Sequence, residues 1–363
     1  LFDDCFDDKS EILDMISFKF VTLWGIVMKT LIIDKVNANI LKALLKDART
    51  SFTEMAKKNG ITAAAVRSRY ENLKNAGVIT GAIMQINPHF IGFNCYGFLG
   101  IKAHPERVKE VQDYLSKQPC ILATWNKIQE SNIGNYFAAP NLEHFTEISD
   151  RLKSYPHIKS VQPLIYVGLP ANEYPENLVI KLDTEIGHKQ NFGEKEAECR
   201  SKKSFMQTPE LEQMNKIDRE IARMLSQDAR VPFSTVAKKV KISTSQVIKK
   251  YRSLKENRLF LKSSITVDPK KLGYQANAMI YIKTALGTKV VDIHKRILRI
   301  PNVIMLGKVV GECDLLVIVP VASFEELFDL DRQFREIDGI EKVQVNTNPP
   351  FPNWPFNFFA PLL

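Results

Sequence analysis

None of the five cysteines, at 5, 95, 120, 199 and 313, forms a CxxC pair. An odd, scattered set excludes a zinc ribbon and a disulfide framework and fits a reduced, cytoplasmic chain. The six histidines are scattered as well, and none has the spacing of metal ligands. No apolar run reaches the roughly 18 residues of a membrane span: the stretch from Met15 to Val27 is shorter and holds Lys19. It also lacks a basic leader and a small-residue cleavage site. No membrane partner is therefore expected. The chain opens with Leu1, and Met28-Lys29-Thr30 leads straight into the first structured pattern. Residues 1–27 are expected to be a non-native extension, with Met28 as the start. Mass spectrometry of the native N-terminus checks this, and a peptide from residues 1–27 would overturn it.

What is present is a repeat. Asp47-Ala48-Arg49 returns 181 residues later as Asp228-Ala229-Arg230. Phe52, Ala56-Lys57-Lys58, Ile61, Val66, Tyr70 and Leu73-Lys74 return in the same register as Phe233, Ala237-Lys238-Lys239, Ile242, Val247, Tyr251 and Leu254-Lys255. Solenoid units run only to roughly 50 residues, so this longer period reads as a duplicated module, a dimer written on one chain. The net charge of +9 is unevenly placed. Residues 34–80 carry +5 and residues 215–262 carry +9, which leaves −5 for the rest. Positive charge concentrates in the repeated units, as a polyanion footprint requires.

Each unit reads as helix, helix, tight turn, helix. Val36, Ile40, Leu41 and Leu44 share one face of the first helix. Ser51-Phe52-Thr53-Glu54 reads as a capping box, and Asn59-Gly60 as a left-handed stop. Thr62 caps a third helix that ends near Ala76-Gly77. Copy two repeats this, with Pro232 opening the second helix and Ser243 capping the third. In a helix-turn-helix the last helix enters the major groove with its first turns facing base edges. Copy one presents Thr62, Ala63, Ala64, Arg67 and Arg69 there. Copy two presents Ser243, Thr244, Ser245, Gln246, Lys249, Lys250 and Arg252. Thr62 and Ser243 suit phosphate contacts at helix N-termini, while Arg67 and Gln246 could read G or A. For any one of these, a solvated side chain or an unspecific phosphate contact is the plainer reading. Arg67 is replaced by Ile248 in copy two and Ser68 by Lys249, so an asymmetric or degenerate site is expected rather than a perfect palindrome.

After each unit, short strands at Ile83–Asn87 and Ile265–Asp268 lead into Pro-x-x-x-Gly. A strand–helix–strand–strand–helix–strand order then follows over residues 96–167 and again over 278–346, which is the ferredoxin-like βαββαβ arrangement. Both helices cover one sheet face and leave the other for a partner. The expected fold class is α+β, with two helix-turn-helix (winged-helix-like) units and two ferredoxin-like domains, pseudo-dimeric in one chain. The expected divisions are 28–87 and 213–268 for the helical units, 88–169 and 269–348 for the ferredoxin-like domains, 170–212 for a linker, and 349–363 for a Pro/Phe-rich tail, self-packed or disordered.

These residues together resemble the Lrp/AsnC (leucine-responsive, feast/famine) transcription regulators, in tandem. The match rests on Asp218, Ile221, Asp228-Ala229-Arg230, Ser243, Arg67-x-Arg69-x-x-x-Leu73, Gly77-Val78-Ile79, and Pro88 or Pro269 before Gly92 or Gly273. The resemblance covers about residues 34–167 and 215–347. It implies a sequence-specific transcriptional regulator that binds double-stranded DNA and is not an enzyme. It implies no cofactor, an amino acid or similar small effector, homo-oligomers through the sensing domains, and a cytoplasmic, nucleoid-associated location. The family's Gly-x-x-x-Gly-x-x-Asp hairpin is whole in copy two, so Gly307, Gly311 and Asp314 are the candidate effector residues. The glycines would let a ligand approach and Asp314 would accept from an ammonium group; a glycine turn with Asp314 bonding its own hairpin stays equally open. Copy one has Trp125 through Asn132 there, without the glycines or the Asp. An architectural DNA-binding protein of low specificity is the main alternative. A sirohaem-decarboxylase-like enzyme would share the architecture, but the sensing domains hold no His/Arg/Tyr cluster of that kind, and copy two has only His294.

Overall fold

The computed structural model describes residues 33–127, 131–168, 174–181 and 214–363. The expected N-terminal extension and residues 170–173 and 182–212 of the expected linker lie outside the described residues. The first helical unit is α1 (Lys35–Lys46), α2 (Phe52–Asn59) and α3 (Ala63–Asn75). α1 buries Ile40, Leu41, Leu44 and Leu45, as its spacing predicts. Ser51 caps α2 by accepting from Glu54 N, but Glu54 does not reach back; its carboxylate takes Lys58 Nζ at 2.8 Å, one turn ahead. α2 stops at Gly60, whose φ of 64° is left-handed. Strand β1 (Ile79–Ile86) follows.

The first ferredoxin-like domain holds β2 (Cys95–Ala103), α4 (Val108–Ser116), β3 (Ile121–Asn126), β4 (Ile133–Ala139), α5 (Leu142–Lys153) and β5 (Ile158–Tyr166). The second helical unit is α6 (Lys216–Gln227), α7 (Phe233–Val240) and α8 (Thr244–Glu256), then β6 (Phe260–Val267). The second ferredoxin-like domain holds β7 (Ala276–Thr284), α9 (Val290–Ile297), β8 (Met305–Val310), β9 (Leu315–Val321), α10 (Phe324–Arg335) and β10 (Ile340–Asn348). At the place of Gly60, copy two has Lys241 with φ 56°. A side chain strains that conformation, so Lys241→Gly is expected to raise stability by about 0.5–1 kcal/mol, read by urea unfolding.

β1 and β6 are longer than expected because they pair with each other. They run antiparallel, with Ile79 opposite Val267 and Met84 opposite Ser263. Periodicity inside one copy shows only the half of each strand that leads into Pro-x-x-x-Gly. The partner half is defined across the copies. The junction is pseudo-twofold: Asn87 N donates to Leu259 O at 2.8 Å, and Asp268 N donates to Val78 O at 3.1 Å. Each copy's first helix lies against the other's strand, α1 on β6 and α6 on β1.

The ferredoxin-like domains form one eight-stranded sheet in the order β10-β7-β9-β8-β5-β2-β4-β3. Both halves have the ferredoxin-like order, and β5 joins β8 through Ile165–Val310 and Tyr166–Val309. One face of each half is covered by its own two helices. The other faces meet in a central core, where Phe98, Tyr136 and Tyr166 pack with Met279, Tyr281 and Ile318.

Part of the expected linker, residues 174–181, is packed against the fold. Among residues 174–181, Tyr174 N donates to Ile304 O at 2.7 Å, Asn177 Nδ2 donates to Val303 O at 3.1 Å, and Leu178 and Ile180 are buried. The segment also touches α1, and Glu176 pairs with Lys262 of β6 at 3.0 Å. Apolar residues dispersed among prolines and charges have no period, so burial there was invisible in composition. The tail is self-packed: Phe358 stacks on Tyr136 at 4.0 Å and Asn357 Nδ2 donates to Met84 O and Ser226 O, each at 2.9 Å. Each copy thus ends in a strap that bridges its own helical unit and the other copy's sensing sheet.

Candidate nucleic-acid interface

The two reading helices share one construction. Thr62 Oγ1 accepts from Ala65 N at 3.1 Å, and Ser243 Oγ accepts from Gln246 N at 3.2 Å. Neither α3 nor α8 has an acid in its first turn. Their N-terminal dipoles are therefore uncompensated by the chain and stay attractive to phosphate. Thr62, Ala64, Arg67 and Ser68 are exposed on α3. Ser243, Thr244, Ser245, Gln246, Lys249 and Arg252 are exposed on α8. The basic ends of the second helices, Lys57-Lys58 and Lys238-Lys239, are exposed beside them.

The structure corrects four of the expected reading residues. Arg69 Nη1 turns inward to Asp34 Oδ2 at 2.7 Å and Asn37 Oδ1 at 3.0 Å, which ties α3 to the start of α1. Lys250, its counterpart, gives Nζ to Asp218 Oδ1 at 2.8 Å. Both are clamps within a unit, set by a helical phase that composition does not show. Ala63 packs against the core. Gln246 Oε1 closes the capping box by accepting from Ser243 N at 2.9 Å, so a bidentate grip on adenine would require that exposed bond to open. Burial resists ionisation of Asp34, but the Asn37 N–H and Arg69 prevail and hold its carboxyl below the usual range. That contribution is present above the ordinary carboxyl pKa and is lost as pH falls through the lowered one.

Two residues that join the copies escaped the sequence reading. The guanidinium of Arg49 donates to the carbonyl of Ala229 and lies 4.0 Å from the Phe233 ring centroid. Arg230 donates to the carbonyl of Ala48 and lies 4.8 Å over Phe52 and 5.1 Å over Tyr70. Each copy plugs an arginine into the aromatic seat of the other. The repeated Asp-Ala-Arg was the available signal. Asp47 and Asp228 accept from the N–H of Arg49 and Arg230 at 2.9 and 2.8 Å and shape the turn that aims them. The exchange ties the two helical units to each other across the ribbon.

The effector hairpin is formed, but its carboxylate is occupied. Asp314 Oδ2 accepts from Thr284 N at 2.8 Å and Thr284 Oγ1 at 2.9 Å, and Oδ1 meets Lys283 Nζ at 3.2 Å. In copy one Asn132 does the same work, with Oδ1 accepting from Ala103 N at 2.8 Å and Nδ2 donating to Ala103 O at 2.9 Å. The position is a clamp on the end of the first sensing strand in both copies. A Cβ on Gly311 would come within 2.5 Å of Pro163 O, so this glycine serves the approach of β8 to β5. Gly307 is buried in β8 opposite Leu316. Burial opposes the charge of Asp314, yet the Thr284 and Lys283 bonds hold its pKa below normal. Asp314→Ala is expected to cost about 1–2 kcal/mol at neutral pH. The difference should vanish as pH falls through the lowered pKa, read as Tm against pH.

The fold is thus a duplicated pair of a helix-turn-helix unit and a ferredoxin-like sensing domain. The AsnC-type helix-turn-helix domain family matches residues 33–74 and 214–255, and the Lrp/AsnC ligand binding domain family matches residues 277–347. The chain thus carries two AsnC-type helix-turn-helix domains and one Lrp/AsnC ligand binding domain, and the two helical matches are consistent with a tandem duplication. It is similar to the HTH-type transcriptional regulator LrpA of Pyrococcus horikoshii, at 42% identity over 85 residues, 23% of this chain and 60% of that protein. It is also similar to the regulatory protein AsnC of Escherichia coli K12, at 34% over 103 residues, 28% of this chain and 62% of that protein. The aligned chain spans about three fifths of the length of these curated relatives. The crystal structure of the siroheme decarboxylase NirDL shares the fold over 90% of this chain and 96% of that one, with a TM-score of 0.58 and 14% identity.

Proposed function

We propose that this chain is a sequence-specific DNA-binding transcriptional regulator, without catalysis, whose sensing domains take a small effector. The observation that supports it is the pair of capped, acid-free reading helices held in fixed relation by the exchanged arginines. Two such helices engage successive major grooves about 34–36 Å apart. The unlike faces, Arg67 and Ser68 against Ile248 and Lys249, ask for unlike half-sites. Selection from random duplexes followed by sequencing tests this: enrichment of an asymmetric bounded site is expected, and equal affinity for all duplexes would leave only an architectural role.

Lys249→Ala and Arg252→Ala together are expected to weaken binding about tenfold or more and to lower the salt slope by about 1 per lost phosphate contact. Arg69→Ala should lower stability and leave that slope unchanged. Gel shifts at two salt concentrations separate the two outcomes. Homo-oligomers through the sensing domains are part of the proposal, supported by Phe324 and Phe328, 75% and 72% exposed one turn apart on α10. Cytoplasmic, nucleoid-associated placement follows from the DNA reading; among the described residues no helix is long and apolar enough to cross a membrane. The decarboxylase fold likeness makes the sirohaem absorption spectrum the check on the catalytic alternative, and no shift in it is expected when the protein is added.

A further inference from the structure

The two helical units are built alike but not charged alike. From Ser51 to Val78 and from Pro232 to Leu259 the register holds without a gap. Four exposed positions of copy two carry a cation that copy one lacks: Lys241 for Gly60, Lys249 for Ser68, Arg252 for Glu71 and Arg258 for Gly77. Only Ile248 for Arg67 and Glu256 for Asn75 run the other way. Two of the four cations stand on left-handed backbone. Lys241 has φ 56° and Arg258 φ 61°, where copy one has Gly60 at 64° and Gly77 at 72°. A Cβ is strained there, and strain of this kind persists where it serves a function. Lys241 lies just before the Ser243 cap of α8, and Arg258 just beyond its last residue, Glu256. A helix of 13 residues is about 20 Å long and the major groove is about 12 Å wide, so the two cations stand where the ends of α8 meet the phosphate walls. Among the described residues no hydrogen bond or ion pair engages the side chains of Lys241, Lys249, Arg252 or Arg258.

The base-facing turns differ as well. In α8 the first polar groups bond one another: Ser243 Oγ meets Ser245 Oγ at 2.9 Å, and Gln246 Oε1 accepts from Ser243 N at 2.9 Å. The first turn of α3 is Ala63, Ala64 and Ala65, small enough for a close approach to base edges. One turn on, exposed Arg67 lies 5.4 Å from the Phe52 ring centroid, the same ring that holds Arg230 at 4.8 Å. Stacking on a ring fixes the plane of a guanidinium, and a planar fork suits O6 and N7 of guanine. In copy two the matching ring, Phe233, holds Arg49 at 4.0 Å, and the reading helix offers Ile248, which has no fork. We propose that the two heads divide the work on one duplex. Copy two grips the phosphates on both sides of its groove through Lys241, Lys249, Arg252 and Arg258, whatever the sequence, and copy one reads a guanine through Arg67. The proposal rests on the DNA-binding reading and assigns each half-site its character, one specific and one tolerant.

The test uses the full chain, a mixed-sequence duplex in a salt series, and selection from random duplexes. Lys241→Gly with Arg258→Gly should raise the urea midpoint and yet weaken binding to the mixed duplex about tenfold, with a salt slope lower by about 2. Residues kept for the fold alone would not move stability and affinity in opposite directions. Lys241→Asn, whose side chain tolerates left-handed backbone, should lower the slope by about 1. The sequence selected by these variants should be that of the wild type. Arg67→Ala should keep the slope within about 1 of the wild type and lose one G·C preference, worth about tenfold or more between matched and mismatched duplexes. An unchanged slope in the double variant, or a changed selected sequence, overturns the grip. A lower slope with a lower midpoint also overturns it, because a damaged turn then explains the loss. An unchanged selected sequence in Arg67→Ala overturns the reader, and two equally defined half-sites in the wild type overturn the division. A wild type that binds no duplex overturns the functional reading itself, whereas every other failure leaves DNA binding standing.

Discussion

Trp354→Ala is expected to be the most damaging single change outside the helical cores, costing about 3–5 kcal/mol in urea unfolding. Trp354 is 1% exposed although it lies in an irregular tail. Its backbone pairs with Val267 in both directions, at 3.0 and 2.7 Å, and so extends the β1–β6 ribbon by one bridge. Around it the tail reaches both copies. Phe359 meets Tyr96 edge-on at 5.4 Å, Gln85 Nε2 donates to Phe356 O at 3.3 Å, and Asn357 bonds β1 and α6. Removing the indole leaves a cavity against β6 and loosens the strap that joins copy two's helical unit to copy one's sensing sheet. Deletion of 349–363 should therefore lower the unfolding midpoint further than Trp354→Ala. Equal stability of the wild type and the deletion would mean that the tail is not part of the fold.

Arg230→Met is the second large effect, about 2 kcal/mol. The carbonyl of Ala48 loses its donor in a half-buried place, and the Phe52 and Tyr70 rings lose the cation over them. Methionine keeps the apolar stem, so the loss reports the guanidinium rather than the packing. Arg49→Met should cost a similar amount, since Arg49 serves Ala229, Val231 and Phe233 in the same way. The double variant should cost less than the two together. Burial, with a further push from the Arg230 guanidinium, lowers the Arg49 pKa, so removing one arginine relieves the other. DNA affinity should fall in all three because the spacing of the reading helices loses its lock. Unfolding and gel shifts on the same samples separate the two losses, and unchanged affinity in a folded double variant would show that the spacing is set elsewhere.

Much of the fold was legible because it is local. Apolar periods placed the face of α1, and cap residues placed Thr62 and Ser243 at their helices. The candidate interface was legible only in part. The N-termini of α3 and α8 stand where the caps put them, yet Arg69 and Lys250 face inward because α1 and α6 present acids to them across the unit. No pattern within α3 or α8 carries that information. The glycine hairpin misled for a related reason. Gly311 and Asp314 have the look of a ligand site, but their partners, Pro163 and Thr284, come from distant strands.

The sequence by itself determined that there are two copies, that each is a helix-turn-helix unit followed by a βαββαβ domain, and that the copies diverge in reading helix and hairpin. These follow from spacing and composition, which act over a few turns of chain. The tertiary structure decided how the copies combine: the β1–β6 ribbon, the exchanged arginines and the crossed straps. Those are contacts between residues far apart in the chain, and which of two exposed-looking polar residues is spent on such a contact depends on geometry that neither residue's neighbours encode.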